Sequence, residues 1–239
     1  MPEDTSGLSR SVEDYLKAIY ALCELGDAAS TSSIAQALDV QPASVTGMIK
    51  RLAESGYLTH VPYRGVRLTD AGIREALRIL RRHRIIETYL AERLGYPWEE
   101  VHPEAERLEH AASDHLIERM AAALEHPSHD PHGAPIPTST GEIEPTDPLT
   151  LSELAPGEEA QVRAVRDDDM EGLLAVEAAG LLPGARVRIL GRIRTPPALR
   201  VEVRGSPGPG LEVAVKVARR VFVVLLSPEH GEGGEGEWG

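Results

Sequence analysis

Apolar side chains recur at helical spacing in three early stretches. Val12, Tyr15, Leu16, Ile19, Tyr20 and Cys23 share one face of a 3.6-residue period, which predicts an amphipathic helix over 11–25 ended by Gly26. A Ser/Thr cluster then offers N-caps to a short helix carrying Ile34, Ala35 and Leu38. Pro42 suits the first position of a third helix, whose stripe is Val45, Ile49 and Leu52 and whose end is Gly56. Residues 57–61 and 66–68 read as a small hairpin around Tyr63, Arg64 and Gly65. Thr69 and Asp70 cap a long helix to about Leu94, and a further helix is predicted to start with Pro103 at its first position and run to about Leu124.

Beyond residue 126 the periodicity is lost. Residues 126–148 are rich in Pro, Gly, Ser and Thr and read as a long linker. From Leu149 the pattern becomes short β segments, 160–165, 186–190, 199–203 and 221–226, with one short helix near 173–179. Such spacing predicts a small β-barrel, and the Gly/Glu-rich stretch 229–239 has the composition of a disordered tail.

Length adds that 239 residues allow one large domain or two to three small ones. No apolar run approaches the roughly 20 residues that span a bilayer, so no membrane association is expected. The polar, acidic N-terminus is unlike a secretory signal, and the single cysteine, Cys23, excludes an internal disulfide. A cytoplasmic protein is the expectation. The formal charge of −13 argues against a nucleic-acid partner only until its distribution is read. Over 41–67 four cations, Lys50, Arg51, Arg64 and Arg67, face one acid, Glu54.

Three helices followed by a hairpin is the winged helix-turn-helix order, in which the third helix enters the major groove of double-stranded DNA. Opposite its apolar stripe that helix carries Ala43, Ser44, Thr46, Gly47, Lys50 and Arg51, preceded by Gln41 and Pro42. Small residues at its start allow close approach to base edges, and the cations one turn on can reach phosphates. Arg64 at the hairpin tip is placed for backbone or minor-groove contact. Lys50 and Arg51 alone would read as a solvated helix face, and it is the whole arrangement that points to DNA.

A second constellation concerns metal. His83 and Glu87 lie four apart on the long helix, and His102, Glu106, Glu109 and His110 form one strip at offsets 0, 4, 7 and 8. A strip this acidic repels itself without a cation. One His–Glu pair is more often a surface support, whereas three imidazoles and three carboxylates on two neighbouring helices favour coordination.

The residues HRIIE at 83–87 and PWEEVHPEAERLEH at 97–110, following a winged helix, resemble the diphtheria toxin repressor family of iron- and manganese-dependent regulators. The likeness is clear over 9–138, includes the loop 131–137, and is weaker in the C-terminal segment. It implies a mainly α fold with β: a winged helix-turn-helix domain (1–74), a helical dimerisation and metal-binding domain with linker (75–145), and an SH3-like small β-barrel (146–228). It also implies a homodimer, a DNA operator, and repression of metal-uptake genes. Two metal sites follow from the family pattern: a primary one of Asp14, Glu106, Glu109 and His110, and an ancillary one of His83, Glu87 and His102 with help from the third domain, for which Asp167 or Asp168 is the candidate. Iron-sensing members carry Met and Cys where this chain has Asp14 and Glu106. Hard oxygen donors suit Mn2+, with Fe2+ the alternative.

Two departures stand out. The short manganese regulators carry a second acid where this chain has Lys17, which is expected to pair with Asp14 or Glu13. The long iron members supply Glu and Gln from the third domain, where this chain offers acids at 167–169. His126, His129 and His132 sit in a Pro-broken stretch and are not expected to form a site. Two other classes fit parts of the pattern: a metal-dependent hydrolase and a winged-helix sensor of an organic ligand or oxidant. No separate general base or substrate pocket signature supports the first, and low aromatic content argues against the second.

Overall fold

A computed structural model describes residues 8–24, 28–145, 149–167, 169–206 and 208–226, so Gly26, Asp168 and the tail 229–239 lie outside the described residues. The chain divides into two compact units, the first within 1–131 and 135–146, the second within 132–134 and 147–239.

The first unit begins with α1 (Arg10–Glu24), α2 (Thr31–Ala37) and α3 (Pro42–Glu54). Each follows from local chemistry. Ser30 caps α2 by accepting from the Ser33 N–H, and Pro42 opens α3 where its missing N–H costs nothing. Val12, Tyr15, Leu16 and Ile19 of α1 meet Ile34 of α2 and Val45, Ile49 and Leu52 of α3 in one core. Burying each such aliphatic side chain contributes about 1.5–3 kcal/mol.

Strands β1 (Leu58–Val61) and β2 (Gly65–Leu68) pair antiparallel, and Ala29 adds an isolated bridge to Val66. Gly65 makes that bridge possible. Its φ of 122° suits only glycine, and a Cβ there would meet the Ala29 carbonyl oxygen at 2.1 Å. Thr69 then caps α4 (Asp70–Leu94) through the Gly72 N–H, a contribution of about 1 kcal/mol.

The single helix expected over 103–124 is two helices, α5 (Val101–Leu108) and α6 (Asp114–Ala123), and Pro103 is the third residue of α5. The break has a local cause. Ser113 is extended (φ −71°, ψ 151°) and caps α6 through the Leu116 N–H. Asp114, the first residue of α6, is drawn to Arg82 and Arg78 of α4. Among the described residues of 126–145 there is no helix or strand. Arg81 and Arg84 of α4 nevertheless pin this stretch by donating to the carbonyls of Pro137 and Pro135.

The second unit holds a five-stranded antiparallel sheet in the order β6-β5-β4-β3-β7: β3 (Glu159–Val165), β4 (Arg186–Ile193), β5 (Ala198–Val203), β6 (Leu211–Ala214) and β7 (Val221–Leu225). Helices α7 (Met170–Ala178) and α8 (Val215–Ala218) accompany it. Register shifts in β3 and between β4 and β5 bend the sheet around Val162, Val187, Ile189, Leu199 and Val201. The fold is the SH3-like small barrel expected. The sequence did not announce β6, a short edge strand whose first two residues are exposed, leaving no alternation to detect. Among the described residues no helix is long and apolar enough to cross a membrane.

Candidate functional site

Two surfaces of the first unit carry the chemistry. On α3, Val45, Ile49 and Leu52 face the core, so Gln41, Pro42, Ala43, Ser44, Thr46, Gly47, Lys50 and Arg51 all stand exposed. Thr46 Oγ1 donates to the Pro42 carbonyl at 3.1 Å. Gly47 is informative because a Cβ there would meet nothing within 4 Å. Packing therefore does not require glycine at this exposed helical position, where alanine would be about 1 kcal/mol more favourable. Arg64 and Tyr63 are exposed at the hairpin tip, Tyr63 with φ at 60°.

The second surface lies where α1, α4 and α5 meet. Asp14 comes from α1, Glu106 from α5, and Glu109 and His110 from the turn that follows it. These four each offer one ligand atom within 4.8 Å of the others. His110 Nε2 lies 3.0 Å from Asp14 Oδ1 and 3.3 Å from Glu109 Oε1. It is buried, yet makes no hydrogen bond, because neither oxygen is aligned to accept one. Opposite ligands of a hard cation stand about 4–5 Å apart, given bonds of about 2.0–2.6 Å. The spread of the four atoms and the unbonded imidazole nitrogen both fit a divalent ion.

Beside them, His83, Glu87 and His102 form a continuous group. His83 Nε2 is 2.9 Å from Glu87 Oε1 and 3.1 Å from His102 Nδ1, while His83 Nδ1 is 2.5 Å from Glu109 Oε2. Glu109 thus joins the two clusters. Burial works against the His83 imidazolium, but Glu87 and Glu109 outweigh it and raise its pKa to about 9. Burial likewise opposes charge on Glu109, and His83 and Lys17 overcome it, holding that carboxyl down at about 2. Burial raises the Asp14 carboxyl above its ordinary value, against the pull of His110 and Lys17.

Lys17 is a correction to the sequence reading. It pairs with neither Asp14 nor Glu13. Its ammonium contacts Glu106 and lies 2.8 Å from Glu109. The reason is that its helical neighbours are engaged elsewhere. Glu13 Oε2 accepts from His110 Nδ1 at 2.7 Å with Arg82 at 3.6 Å, and Asp14 faces His110. Sequence reasoning considered Glu13 only as a partner for Lys17, not for His110. The available signal was an acid on the inner side of α1, where only apolar residues were sought, and it is 3% exposed.

In the second unit Asp167 follows β3, with Oδ2 3.7 Å from Nδ1 of the fully buried His132. Gly133 holds that segment against the strand, since a Cβ there would meet the Arg163 carbonyl oxygen at 2.1 Å. His129 is instead near the surface, its Nδ1 2.9 Å from Ser128.

A winged helix-turn-helix joined to a His/carboxylate cluster defines a metal-dependent transcriptional repressor. Family models agree. "Iron dependent repressor, N-terminal DNA binding domain" matches 7–66, "Iron dependent repressor, metal binding and dimerisation domain" matches 69–138, and "FeoA domain" matches 149–225. The chain is 33% identical over 192 residues to the iron-dependent repressor IdeR of Mycobacterium tuberculosis, covering 75% of this chain and 83% of that one. It is 40% identical over 110 residues to the transcriptional regulator MntR of Oceanobacillus iheyensis, covering 46% and 74%. A solved manganese-dependent transcriptional repressor in complex with manganese superposes with a TM-score of 0.84 at 37% identity, over 90% of this chain and 100% of the other. The chain belongs to the diphtheria toxin repressor family, whose members are repressors, not enzymes.

Proposed function

We propose that this repressor is governed by manganese(II), binds a double-stranded operator as a homodimer in the cytoplasm, and turns down metal-uptake genes when the ion is bound. The observation that carries the metal assignment is the donor set. Asp14, Glu106, Glu109 and His110 offer three carboxylates and one imidazole within 4.8 Å, and hard donors of this kind suit Mn2+ better than sulfur ligands do. Asp14 belongs to the helix that packs on the DNA-reading unit, and the other three ligands belong to α5 and its following turn. A bound cation supplies a cross-link between them and offsets acid near a polyanion.

The remaining roles fall to residues of the chain. His83, Glu87 and His102 form the ancillary cluster. Gln41, Pro42, Ala43, Ser44, Thr46 and Gly47 approach the bases, with Lys50, Arg51 and Arg64 on phosphates. Leu94, Leu108 and Leu116, between 40% and 59% exposed on the helices after the winged unit, supply apolar surface for a second copy. Iron(II) is the second reading, favoured by the length of the match to a protein described as an iron-dependent repressor.

Fluorescence anisotropy of a labelled duplex, taken upstream of a manganese transporter gene and titrated at fixed salt, tests the proposal. Binding should appear with Mn2+ at lower concentration than with anaerobic Fe2+ and reverse with chelator. Tighter response to Fe2+ selects the second reading, and binding indifferent to both metal and chelator refutes metal control.

A further inference from the structure

Resting on the reading that the first unit binds duplex DNA, we propose that Tyr63 is itself a DNA contact. Its ring packs against the sugar–phosphate backbone at the minor-groove edge, and its hydroxyl donates to a phosphate. The backbone of the hairpin is the first observation behind this. The Arg64 N–H donates to the Val61 carbonyl at 3.0 Å, closing a four-residue turn over Val61, Pro62, Tyr63 and Arg64. The Pro62 ring locks its own φ at about −65°, and Tyr63 has φ at 60°. Negative φ at the second position and positive φ at the third define a type II turn, whose third position favours glycine or asparagine. A tyrosine there works against the local backbone preference. Packing within the protein does not offset this, because the ring is fully exposed, more so than any other large apolar side chain among the described residues. Residues held in such conformations cluster where the side chain serves binding.

The second observation is what lies beside the hairpin. An open cleft of about 320 Å3 separates it from α3, lined by the buried Ile49 and Val66 and by Thr31, Thr46, Lys50 and His60. Lysine and threonine side chains are common phosphate contacts, so the cleft suits a strand of DNA backbone running beside α3. With α3 in the major groove, such a strand passes between the helix and the hairpin, which puts the hairpin tip at the adjoining minor groove. That groove is about 6 Å wide and admits single side chains where the major groove admits a helix. Arg64 supplies charge there. Tyr63 supplies a flat apolar surface for a deoxyribose and one hydroxyl for a phosphate oxygen. The contact is neutral, so it adds affinity without adding to the salt dependence that Lys50, Arg51 and Arg64 bring. It touches backbone alone, so it serves any duplex sequence equally.

The test uses the full chain with saturating Mn2+ and two labelled duplexes, one from upstream of a manganese transporter gene and one scrambled. Binding is read by anisotropy and by hydroxyl-radical footprinting, which reports how exposed each deoxyribose is in the minor groove. Tyr63→Gly should be at least as stable to urea as wild type, because glycine suits the turn. It should nevertheless bind both duplexes about tenfold more weakly. Its affinity should keep the wild-type slope against salt, since no charge is lost, whereas Arg64→Ala should lower that slope by about 1. Protection of deoxyribose next to the α3 footprint should vanish in Tyr63→Gly and persist in Tyr63→Phe, which keeps the ring and loses only the hydroxyl. Unchanged affinity and footprint in Tyr63→Gly overturn the proposal, as does a loss confined to one of the two duplexes. Wild-type protein that binds neither duplex removes the DNA reading and this inference together, whereas an unaffected Tyr63→Gly leaves that reading standing.

Discussion

Glu13 and His110, 97 residues apart, are joined by a 2.7 Å hydrogen bond from His110 Nδ1 to Glu13 Oε2. With Nδ1 donating to Glu13, Nε2 is the ring nitrogen that faces Asp14, at 3.0 Å. Two successive residues of α1 therefore hold one imidazole, the first orienting it and the second sharing its ligand face. Arg82, 3.6 Å from Glu13 and donating to the Glu109 carbonyl, braces both sides of this arrangement.

Glu13→Gln should weaken Mn2+ binding by about 10–100-fold, the usual effect of removing a partner that orients a ligand, although Glu13 is outside the proposed ligand set. Isothermal titration with Mn2+ measures it. Unchanged affinity would mean that the His110 ring is oriented by packing alone. The metal-free fold should survive, because glutamine retains the volume and can still accept from Nδ1.

Gly47→Ala should act in opposite directions on stability and DNA affinity. The added methyl group meets nothing within 4 Å and removes a helix-interior glycine, so unfolding free energy should rise by about 0.5–1 kcal/mol. Operator affinity should fall, since the same methyl group projects from the exposed face of α3. Urea denaturation and anisotropy on one preparation give both quantities. Equal or tighter DNA binding would take this part of α3 out of the interface.

Asp114 links α6 to α4 through Arg82 and Arg78. Burial alone would raise its pKa, and the two guanidinium groups outweigh that and lower it. The sign follows: a carboxyl depressed in the folded state stabilises above its unfolded value of about 3.9, and that contribution is lost as pH falls through the lower folded value. Asp114→Asn should therefore melt below wild type at neutral pH, with the gap closing below about pH 4. With the carboxylate half exposed, the effect should stay within about 1 kcal/mol and shrink in high salt. Thermal melts from pH 7 to pH 3 decide it, and a gap independent of pH would assign the loss to helix capping instead.

Periodicity alone determined much of this protein. The apolar stripes of α1 and α3, the starts marked by Thr69 and Pro42, and the alternation in β5 rest on contacts within a few residues, which is why they were legible. The strip of His102, Glu106, Glu109 and His110 was legible for the same reason, and its four residues, with Asp14, His83 and Glu87, do converge.

Tertiary structure decided how those groups are partnered. The break between α5 and α6 depends on Asp114 reaching Arg82 and Arg78, which lie 32 and 36 residues earlier. Lys17 meets Glu109 across 92 residues, and nothing within one turn of α1 distinguishes that partner from Asp14 or Glu13. Which of two adjacent acids turns inward is fixed by what packs against the helix. Local spacing assigns a residue to a face, whereas the charge it meets there comes from another part of the chain brought alongside by the burial of the shared core.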